Sequence, residues 1–288
     1  MDTVTRYLRS VLSVHFYGVR GSFPVSGEDV RRYGGNTACI AIREVMGSSL
    51  GAPLFLDAGS GLNRAGAQLI QEDIPSATVI LSHLHWDHIQ GLPFFPLLDK
   101  ENGQTNVFVP ATYLTPHDAL ARVLAPPVFP VTLGGRPGHC VIQAAPPSME
   151  LEDPHVQVST LVIAHSDPTI AVRVDSARSS LAYVTDHQEP IDGRAESALV
   201  EFCRDVDLLV HDAQYTKKEF RSKATWGHST YEFAIEVARA SGAGRLAFFH
   251  HDPSRSDEAL DDIVSSLAGR FDDVGMVAAW EGMDVLLA

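Results

Sequence analysis

"LSHLHWDHIQG", residues 81–91, is the most informative stretch of the sequence. Within six positions it contains three histidines and one aspartate, namely His83, His85, Asp87 and His88. In an extended loop, residues i and i+2 project to the same side, so His83 and His85 can bind one metal ion. Asp87 and His88 follow immediately and can turn toward a second ion. Because chance and core packing seldom produce this density, we interpret the stretch as one part of a dinuclear metal site.

A dinuclear site requires further ligands from distant segments of the chain. Its two ions lie ~3.5–4 Å apart and need a bridging carboxylate and additional imidazoles. Three candidates stand at the ends of predicted strands: His165 closes "LVIAH", Asp186 closes "LAYVTD" and His250 closes "RLAFFH". His251 competes with His250 for the last position. Asp57, at the end of "LFLDAG", is interpreted as a residue that orients a ligating histidine rather than as a ligand.

Short apolar runs that end in Gly, Asp or His predict strands in both halves of the chain. They are "SVHFYG", "TACIAI", "PLFLDAG" and "ATVILSH", and later "VQVSTLVIAH", "TIAVRVD", "SLAYVTD", "DLLVHDAQY" and "RLAFFHH". Helices are predicted at "SGLNRAGAQLIQ", "PHDALARVLA", "GRAESALVEFCRD", "STYEFAIEVARAS" and "SDEALDDIVSSLAG". The pattern predicts an α/β (α+β) protein, a four-layer αββα sandwich of two mixed β-sheets flanked by helices, with residues 1–288 as one domain. The Pro- and Gly-rich segment 126–140 is predicted to be a loop or a seam between the halves.

The composition is that of an ordinary folded protein, with 45% hydrophobic and 20% charged residues. The formal net charge of −14 repels polyanions and argues against broad contact with nucleic acid. Cys39, Cys140 and Cys203 are odd in number and far apart, which predicts buried, reduced thiols in a cytoplasmic protein. Since no segment resembles a signal peptide or a run of ~18 apolar residues, neither secretion nor membrane insertion is expected.

The HxHxDH pattern of residues 83–88, followed in order by His165, Asp186 and His250, resembles the metallo-β-lactamase fold superfamily of dinuclear hydrolases. The similarity extends over most of the chain. It implies that the metal ligands are His83, His85, Asp87, His88, His165, Asp186 and His250.

Three other segments resemble the ribonuclease Z-like and cyclic nucleotide phosphodiesterase-like branch of this superfamily. They are "FYGVRGSFPVSGEDVRRYGGNTACI", "LLVHDAQY" and "HSTYEFAIEVARASGAGRLAFFHH". In that branch a His-Ser-Thr sequence opens a helix before the last metal histidine. The resemblance therefore implies that His228 and Asp212 are the catalytic pair that does not bind metal. As a competing interpretation, His228 is merely exposed in front of a helix capped by Ser229 or Thr230.

The branch's tRNA-processing members carry a long Gly/Pro-rich arm, and no basic insertion of that length is present here. Asp212 also stands where those enzymes commonly have Glu. We therefore expect small anionic phosphodiesters such as cyclic nucleotides as substrates, and not structured tRNA. A homodimer is expected only by analogy with the family. Arg20, Arg32 and Lys223 are candidates for holding a substrate phosphate, although for each of them solvated surface charge is the favoured interpretation. Trp86 is predicted to pack the metal loop.

The predicted mechanism uses a hydroxide that bridges the two ions and attacks phosphorus in line. Asp87 orients the hydroxide while binding one ion, and His228, steered by Asp212, protonates the leaving alkoxide. Histidine and carboxylate ligands without cysteine favour Zn²⁺, with Mn²⁺ or Fe as alternatives.

Three other functions remain open from the sequence. The same metal site could hydrolyse a carboxyl ester, lactone or thioester, chemistry that does not obviously require the "GHST" element. A redox-active di-iron protein of this fold would need an attached flavin domain to supply electrons. A binding protein without activity is disfavoured because every ligand position is intact.

Overall fold

Two β-sheets stacked face to face form the centre of the protein. The computed structural model describes residues 10–46, 49–113, 115–151 and 156–288. The first sheet has the order β15-β1-β2-β4-β5-β6-β7, with β3 paired to β2. Its strands are β1 (Val11–Gly18), β2 (Cys39–Met46), β3 (Ser49–Leu50), β4 (Leu54–Leu56), β5 (Ser76–Ile80), β6 (Gln104–Pro110), β7 (His139–Ala145) and β15 (Asp284–Leu287).

The second sheet has the order β14-β13-β12-β11-β10-β9-β8. Its strands are β8 (Ser148–Glu150), β9 (Gln157–Ile163), β10 (Thr169–Asp175), β11 (Ser180–Val184), β12 (Leu208–Asp212), β13 (Leu246–Phe249) and β14 (Met276–Ala278). Both sheets are mixed, because β4 to β7 and β11 to β14 pair in parallel whereas the other strand pairs are antiparallel.

Strand direction brings the chemistry-bearing residues to one edge of each sheet. β4 and β5 run in parallel, and so do β11, β12 and β13. β9 points the same way as β11, because each is antiparallel to β10. The carboxyl ends of parallel strands open onto a common edge, where α/β proteins usually bind ligands. The residues after β4, β5, β9, β11 and β13 can therefore meet.

Helices cover the outer face of each sheet. The α-helices of the described chain are α1 (Leu62–Gln71), α2 (Trp86–Ile89), α3 (Pro116–Val123), α4 (Ser197–Phe202), α5 (Lys217–Lys223), α6 (Tyr231–Ser241) and α7 (Asp257–Ala268). Leu62, Ala65 and Leu69 of α1 are buried in an apolar cluster with the first sheet. α6 and α7 bury Ile235 and Leu260 in a cluster with the second sheet. The predicted four-layer αββα architecture is thus confirmed.

The core between the sheets follows from the alternation of side chains along each strand. In β1, Leu12, Val14 and Phe16 are fully buried, whereas the residues between them are partly exposed. Phe16 meets Phe249 of the second sheet with ring centroids 6.2 Å apart. A two-residue period with one apolar face is what a half-buried strand requires.

The predicted elements agree with the structure at most positions, and the differences have identifiable causes. The five predicted helices are present, but α5 was not predicted because "KKEFRSK" has no apolar stripe, and none of its residues is buried. A capping box in which Thr216 and Glu219 bond each other's backbone N–H stabilises its start. The predicted loop 126–140 ends earlier than expected, because β7 begins at His139, and the chain passes between the sheets at Pro146 and Pro147.

Cys39 and Cys203 are buried and Cys140 is partly buried, all as free thiols. Burial raises the pKa of Cys140 to about 11 and that of Cys203 to about 12, so both thiols are protonated at neutral pH. Within the described ranges, no helix combines the length and apolarity needed to cross a bilayer. The assignment of all 288 residues to one domain stays a prediction.

Candidate metal centre and proton donor

The strand ends that carry the candidate ligands are conformationally strained. Asp57, Asp186 and His250 follow β4, β11 and β13, and their φ angles are 62°, 50° and 60°. Left-handed backbone is uncommon for residues other than glycine and costs free energy, so it persists where the surrounding structure requires it. Here the sharp turn directs each of these side chains toward the common edge of the sheets.

One group of ligand atoms comes from His83, His85, His165 and Asp186, with one atom from each residue lying within 4.8 Å of the others. The Nε2 atoms of His83 and His165 are each 3.8 Å from Asp186 Oδ1. His83 Nε2 is buried and has no hydrogen-bond partner within the described part of the chain. Burial lowers the pKa of His83 well below its usual value, so its ring is neutral. A neutral, unpaired nitrogen facing a carboxylate oxygen fits a metal ion bound between them.

A second group contains Asp87, His88 and His250. The Nε2 atoms of His88 and His250 lie 3.2 and 3.1 Å from Asp87 Oδ2. The same two nitrogens lie 3.1 and 3.2 Å from Asp186 Oδ2. Asp186 therefore presents Oδ1 to the first group and Oδ2 to the second, which is the geometry of a bridging carboxylate.

The two candidate carboxylate ligands are anionic, as cation binding requires. Burial alone would raise the pKa of Asp87 and Asp186, but neighbouring imidazoles outweigh it and hold both pKa values well below the usual range. The residues thus offer anionic carboxylates and imidazoles without thiolate, a donor set that Zn²⁺, Mn²⁺ and Fe all accept.

A ring of hydrogen bonds fixes the orientation of each imidazole. In every candidate ligand the ring nitrogen that faces away from the cluster has a polar partner. The partners are Ser82 Oγ for His83 (3.0 Å), Asp167 Oδ2 for His85 (2.8 Å), Asp57 Oδ2 for His88 (2.7 Å), Gly227 O for His165 (2.8 Å) and Gln214 Oε1 for His250 (2.9 Å). Such partners fix the tautomer of metal-binding histidines. His85 accordingly presents Nδ1, and the other four present Nε2.

Asp167, Gln214 and Gly227 were not identified from the sequence. His85 and Asp167 are 82 positions apart, so no local spacing predicts their contact. Gly227 has a φ of 91°, and a Cβ at this position would lie 2.4 Å from His165 Nδ1. Its backbone carbonyl can therefore reach the imidazole only because the residue is glycine.

Asp57 is bonded as predicted for a residue that orients a ligand, and it also joins the two sheets. Its Oδ1 accepts from Ser82 N (2.7 Å). Its Oδ2 accepts from Ser82 Oγ (2.9 Å), Tyr183 OH (2.7 Å) and His88 Nδ1 (2.7 Å). All of these groups are buried, so the carboxylate satisfies donors from both halves of the fold.

We expect Asp57→Ala to lower the free energy of unfolding by about 3–5 kcal/mol, because it leaves several buried donors unpaired. Asp57→Asn should cost less, since asparagine tolerates left-handed backbone and keeps an acceptor oxygen. Urea denaturation of chelator-treated protein separates this effect from loss of metal. Equal midpoints for Asp57→Ala and the unchanged chain would show that the carboxylate is not a structural hub.

His228 and Asp212 form a hydrogen-bonded pair beside the second group. His228 Nδ1 lies 2.8 Å from Asp212 Oδ2, and Asp212 Oδ1 accepts from the backbone N–H groups of Gln214 and Ser229, both at 3.1 Å. The His228 ring is stacked on that of His250, with centroids 5.0 Å apart. Among the described residues, His228 Nε2 has no hydrogen-bond partner. It is therefore free to face a substrate.

Ligand atoms of Asp186, Asp212, His228 and His250 also lie within 4.8 Å of one another. We interpret Asp212 and His228 as a proton-transfer pair rather than ligands, because N–H donors already occupy both Asp212 oxygens. Burial disfavours the charged form of His228, but Asp212 outweighs it and raises the pKa of His228 above its usual value. The imidazolium can then act as an acid.

The three candidate cations lie in different environments. Arg20 is fully buried and donates to the backbone carbonyls of Gly34, Asp252 and Arg255, so it is not available to a substrate phosphate. Arg32 is paired with Asp261 on the surface. Only Lys223, of these three, lines a groove next to His228.

The remaining predicted residues are also located. His251 bonds Ala279 O and lies outside both ligand groups, whereas His250 belongs to the second group. Thr230, not Ser229, accepts from Phe233 N and caps α6. The prediction that Trp86 packs the metal loop is wrong, because its side chain is 49% exposed. The inward positions of α2 are taken by Asp87, His88 and Ile89.

A family model described as the beta-lactamase superfamily domain matches residues 54–251 of the chain. Ribonuclease Z of Haloarcula marismortui is 39% identical over 88 residues, covering 30% of this chain and 27% of that protein. Ribonuclease Z of Pyrococcus furiosus is 38% identical over 79 residues, covering 27% and 24%. The similarity thus spans about a quarter of the length of these curated relatives.

Several solved structures share the fold. The metallo-beta-lactamase fold protein YhfI from Bacillus subtilis has a TM-score of 0.70 at 18% identity, covering 96% of this chain and 100% of that one. A diphosphatase from the PhnP family has a TM-score of 0.69 at 16% identity, covering 95% and 97%. Yeast PDE1 has a TM-score of 0.67 at 14% identity, covering 97% and 100%. At these identities the likeness concerns the fold alone.

Proposed function

The chain belongs to the beta-lactamase superfamily, and we propose that it is a hydrolase and that the bond it hydrolyses is a phosphodiester. The observation that carries this proposal is the His228–Asp212 pair beside the metal-binding groups, with Nδ1 and Oδ2 2.8 Å apart and Nε2 free. Cleavage of a phosphodiester expels an alkoxide, which needs a proton when the alcohol is weakly acidic. An imidazolium at this position supplies that proton.

We assign two cation sites to the ligand groups. His83, His85, His165 and Asp186 Oδ1 would hold one ion, and Asp87, His88, His250 and Asp186 Oδ2 would hold the other. When bound, the ions would supply Lewis acidity toward the phosphoryl oxygens and lower the pKa of water.

Asp87 and His228 perform the two proton-handling tasks on either side of phosphorus. The backbone N–H of Ser22 fixes Asp87 Oδ2 at 2.7 Å, and the carboxylate held in this way can accept a hydrogen bond from the attacking water. His228 Nε2 donates its proton to the leaving oxygen as the P–O bond breaks. Asp212 holds the Nδ1 proton throughout, so that Nε2 always carries the proton that is transferred.

Small phosphodiesters, such as cyclic nucleotides, are the proposed substrates. The net charge of −14 opposes the approach of a long polyanion. Of the three cations considered, only Lys223 borders the site, and it is already paired with Asp252. None of these three cations therefore offers an unpaired charge to a long phosphate backbone.

We expect metal-loaded protein to hydrolyse bis(p-nitrophenyl) phosphate, with much less turnover of p-nitrophenyl phosphate and p-nitrophenyl acetate. Removing the ions with a chelator should abolish diester hydrolysis, and adding Zn²⁺ or Mn²⁺ back should restore it. Release of p-nitrophenolate provides the measurement in each case.

Cleavage of the acetate with an inert diester would replace the phosphodiesterase proposal by acyl-ester hydrolysis at the same centre. Turnover that survives complete removal of metal, measured by elemental analysis, would contradict the assignment of the ligand groups.

A further inference from the structure

A groove of about 370 Å³ opens directly beside the candidate proton donor. This volume lies within the ~300–1,000 Å³ usual for small-molecule sites. Its lining includes Ser22, Tyr215, Lys223, Trp226 and His228. Because His228 is both the proton donor of the proposed reaction and part of the wall, the groove is continuous with the reaction centre.

The position of His228 determines which part of a substrate would enter the groove. The attacking water approaches phosphorus from the side opposite the leaving oxygen, and His228 protonates the leaving oxygen. The group attached to the leaving oxygen therefore extends past His228 into the groove.

Trp226 offers a large ring surface held in a fixed place. Its side chain is 61% exposed, although it lies only two positions before the buried His228. The backbone on both sides is anchored: Trp226 N donates to Lys223 O (3.0 Å) and Gly227 N donates to Gln188 Oε1 (2.8 Å). An exposed aromatic ring on a rigid segment is suited to stacking on another flat ring.

The charge in the groove is compensated rather than free. Lys223 Nζ lies 3.4 Å from Asp252 Oδ2 and 4.5 and 5.4 Å from the ring centroids of Tyr215 and Trp226. A cation between a carboxylate and two aromatic faces orients those rings more than it attracts an additional anion. Ser22 and Tyr215 also belong to the lining, and their hydroxyl oxygens both accept from Gln214 Nε2 at 3.4 Å.

Resting on the proposed phosphodiesterase activity, we infer that this groove receives the leaving alcohol and that Trp226 selects alcohols carrying a flat ring, such as a nucleoside. Water adds to phosphorus, one P–O bond breaks, and the sugar or alcohol oxygen released from phosphorus takes the proton from His228 Nε2. In a cyclic nucleotide the nucleoside stays attached to phosphorus through its second ester bond. Trp226 contacts the departing group and not the reacting atoms, so it determines specificity without catalysing the reaction.

Inhibition by the leaving alcohol alone tests this inference. Adenosine is the probe, and methyl riboside, which has the sugar hydroxyls but no base, is its matched control. Adenosine should inhibit hydrolysis of bis(p-nitrophenyl) phosphate at concentrations at least about tenfold lower than methyl riboside, as expected for stacking of one base. Trp226→Ala should raise the inhibition constant of adenosine about tenfold. Trp280→Ala, which removes an exposed tryptophan that lines a separate groove, should leave it unchanged.

Equilibrium binding of adenosine, measured by calorimetry, distinguishes failure of this inference from failure of the proposed function. If adenosine binds and Trp226→Ala weakens binding while the diester is inert, the groove assignment stands and the reaction must be revised. If the diester is hydrolysed but adenosine and methyl riboside inhibit equally, or Trp226→Ala has no effect on adenosine, the groove assignment is overturned.

Discussion

Asp87→Asn is expected to lower kcat for bis(p-nitrophenyl) phosphate by about 10³-fold or more, because one carboxylate serves both a cation site and the attacking water. Asparagine keeps the shape of the side chain but removes the negative charge that faces His88 and His250 at 3.2 and 3.1 Å. It also weakens the bond that Ser22 N makes to Oδ2. Mutating a residue that hydrogen-bonds a metal ligand typically lowers metal affinity or activity by ~10–100-fold. Mutating a ligand that also orients the attacking water should therefore lower activity further.

The measurement combines steady-state kinetics with elemental analysis of the purified protein. We expect Asp87→Asn to bind less than the full complement of metal and to regain little activity when excess Zn²⁺ is supplied. Asp118→Asn, an exposed substitution on α3, provides the control for the loss of one negative charge and should behave as the unchanged chain. Retention of kcat within a few-fold by Asp87→Asn would remove Asp87 from the mechanism.

The ligands of the candidate centre could be proposed from the sequence, because each of them lies in a recognisable local pattern. The HxHxDH spacing places two histidines on one side of a loop and an Asp-His pair on the short helix α2 that follows. The other three candidate ligands, His165, Asp186 and His250, follow strands whose apolar runs are easily recognised. Since those strands share one direction within their sheet, a residue at the end of each strand reaches the same edge.

The residues that hold the centre in place could not be predicted in the same way. His85 and Asp167, like Asp57 and Tyr183, meet across tens of positions, so their contacts exist only after the sheets have stacked. Apolar periodicity cannot predict these polar contacts, because it indicates which face of a helix or strand is buried but not which donor meets which acceptor.

Burial of charge and exposure of aromatic rings were the least predictable features. Arg20 is fully buried because three backbone carbonyls from distant segments accept its N–H groups. Trp86 and Trp226 are exposed although large rings are usually covered. At Trp86 the inward positions of the helix are taken by Asp87, His88 and Ile89.

His228→Ala is expected to slow the reaction according to how much the leaving group needs a proton. With aryl methyl phosphates, kcat should fall only a few-fold for the p-nitrophenyl ester, whose leaving group departs as a stable anion. The loss should grow toward the phenyl ester and reach ~10²–10⁴-fold for alkyl leaving groups. Asp212→Asn should show the same dependence of kcat on the leaving group with a smaller loss. The substitution weakens the hydrogen bond that holds one proton on Nδ1, and this bond keeps the transferable proton on Nε2.

The slope of log kcat against the pKa of the leaving alcohol is the decisive measurement, with His117→Ala as the matched control because that histidine is exposed on α3. The slope should be steeper in His228→Ala than in the control, and both variants should retain their metal. Unchanged slopes would show that His228 is not the acid. Loss of metal from His228→Ala would instead favour the alternative group in which ligand atoms of Asp186, Asp212, His228 and His250 lie within 4.8 Å of one another, and would make His228 a ligand.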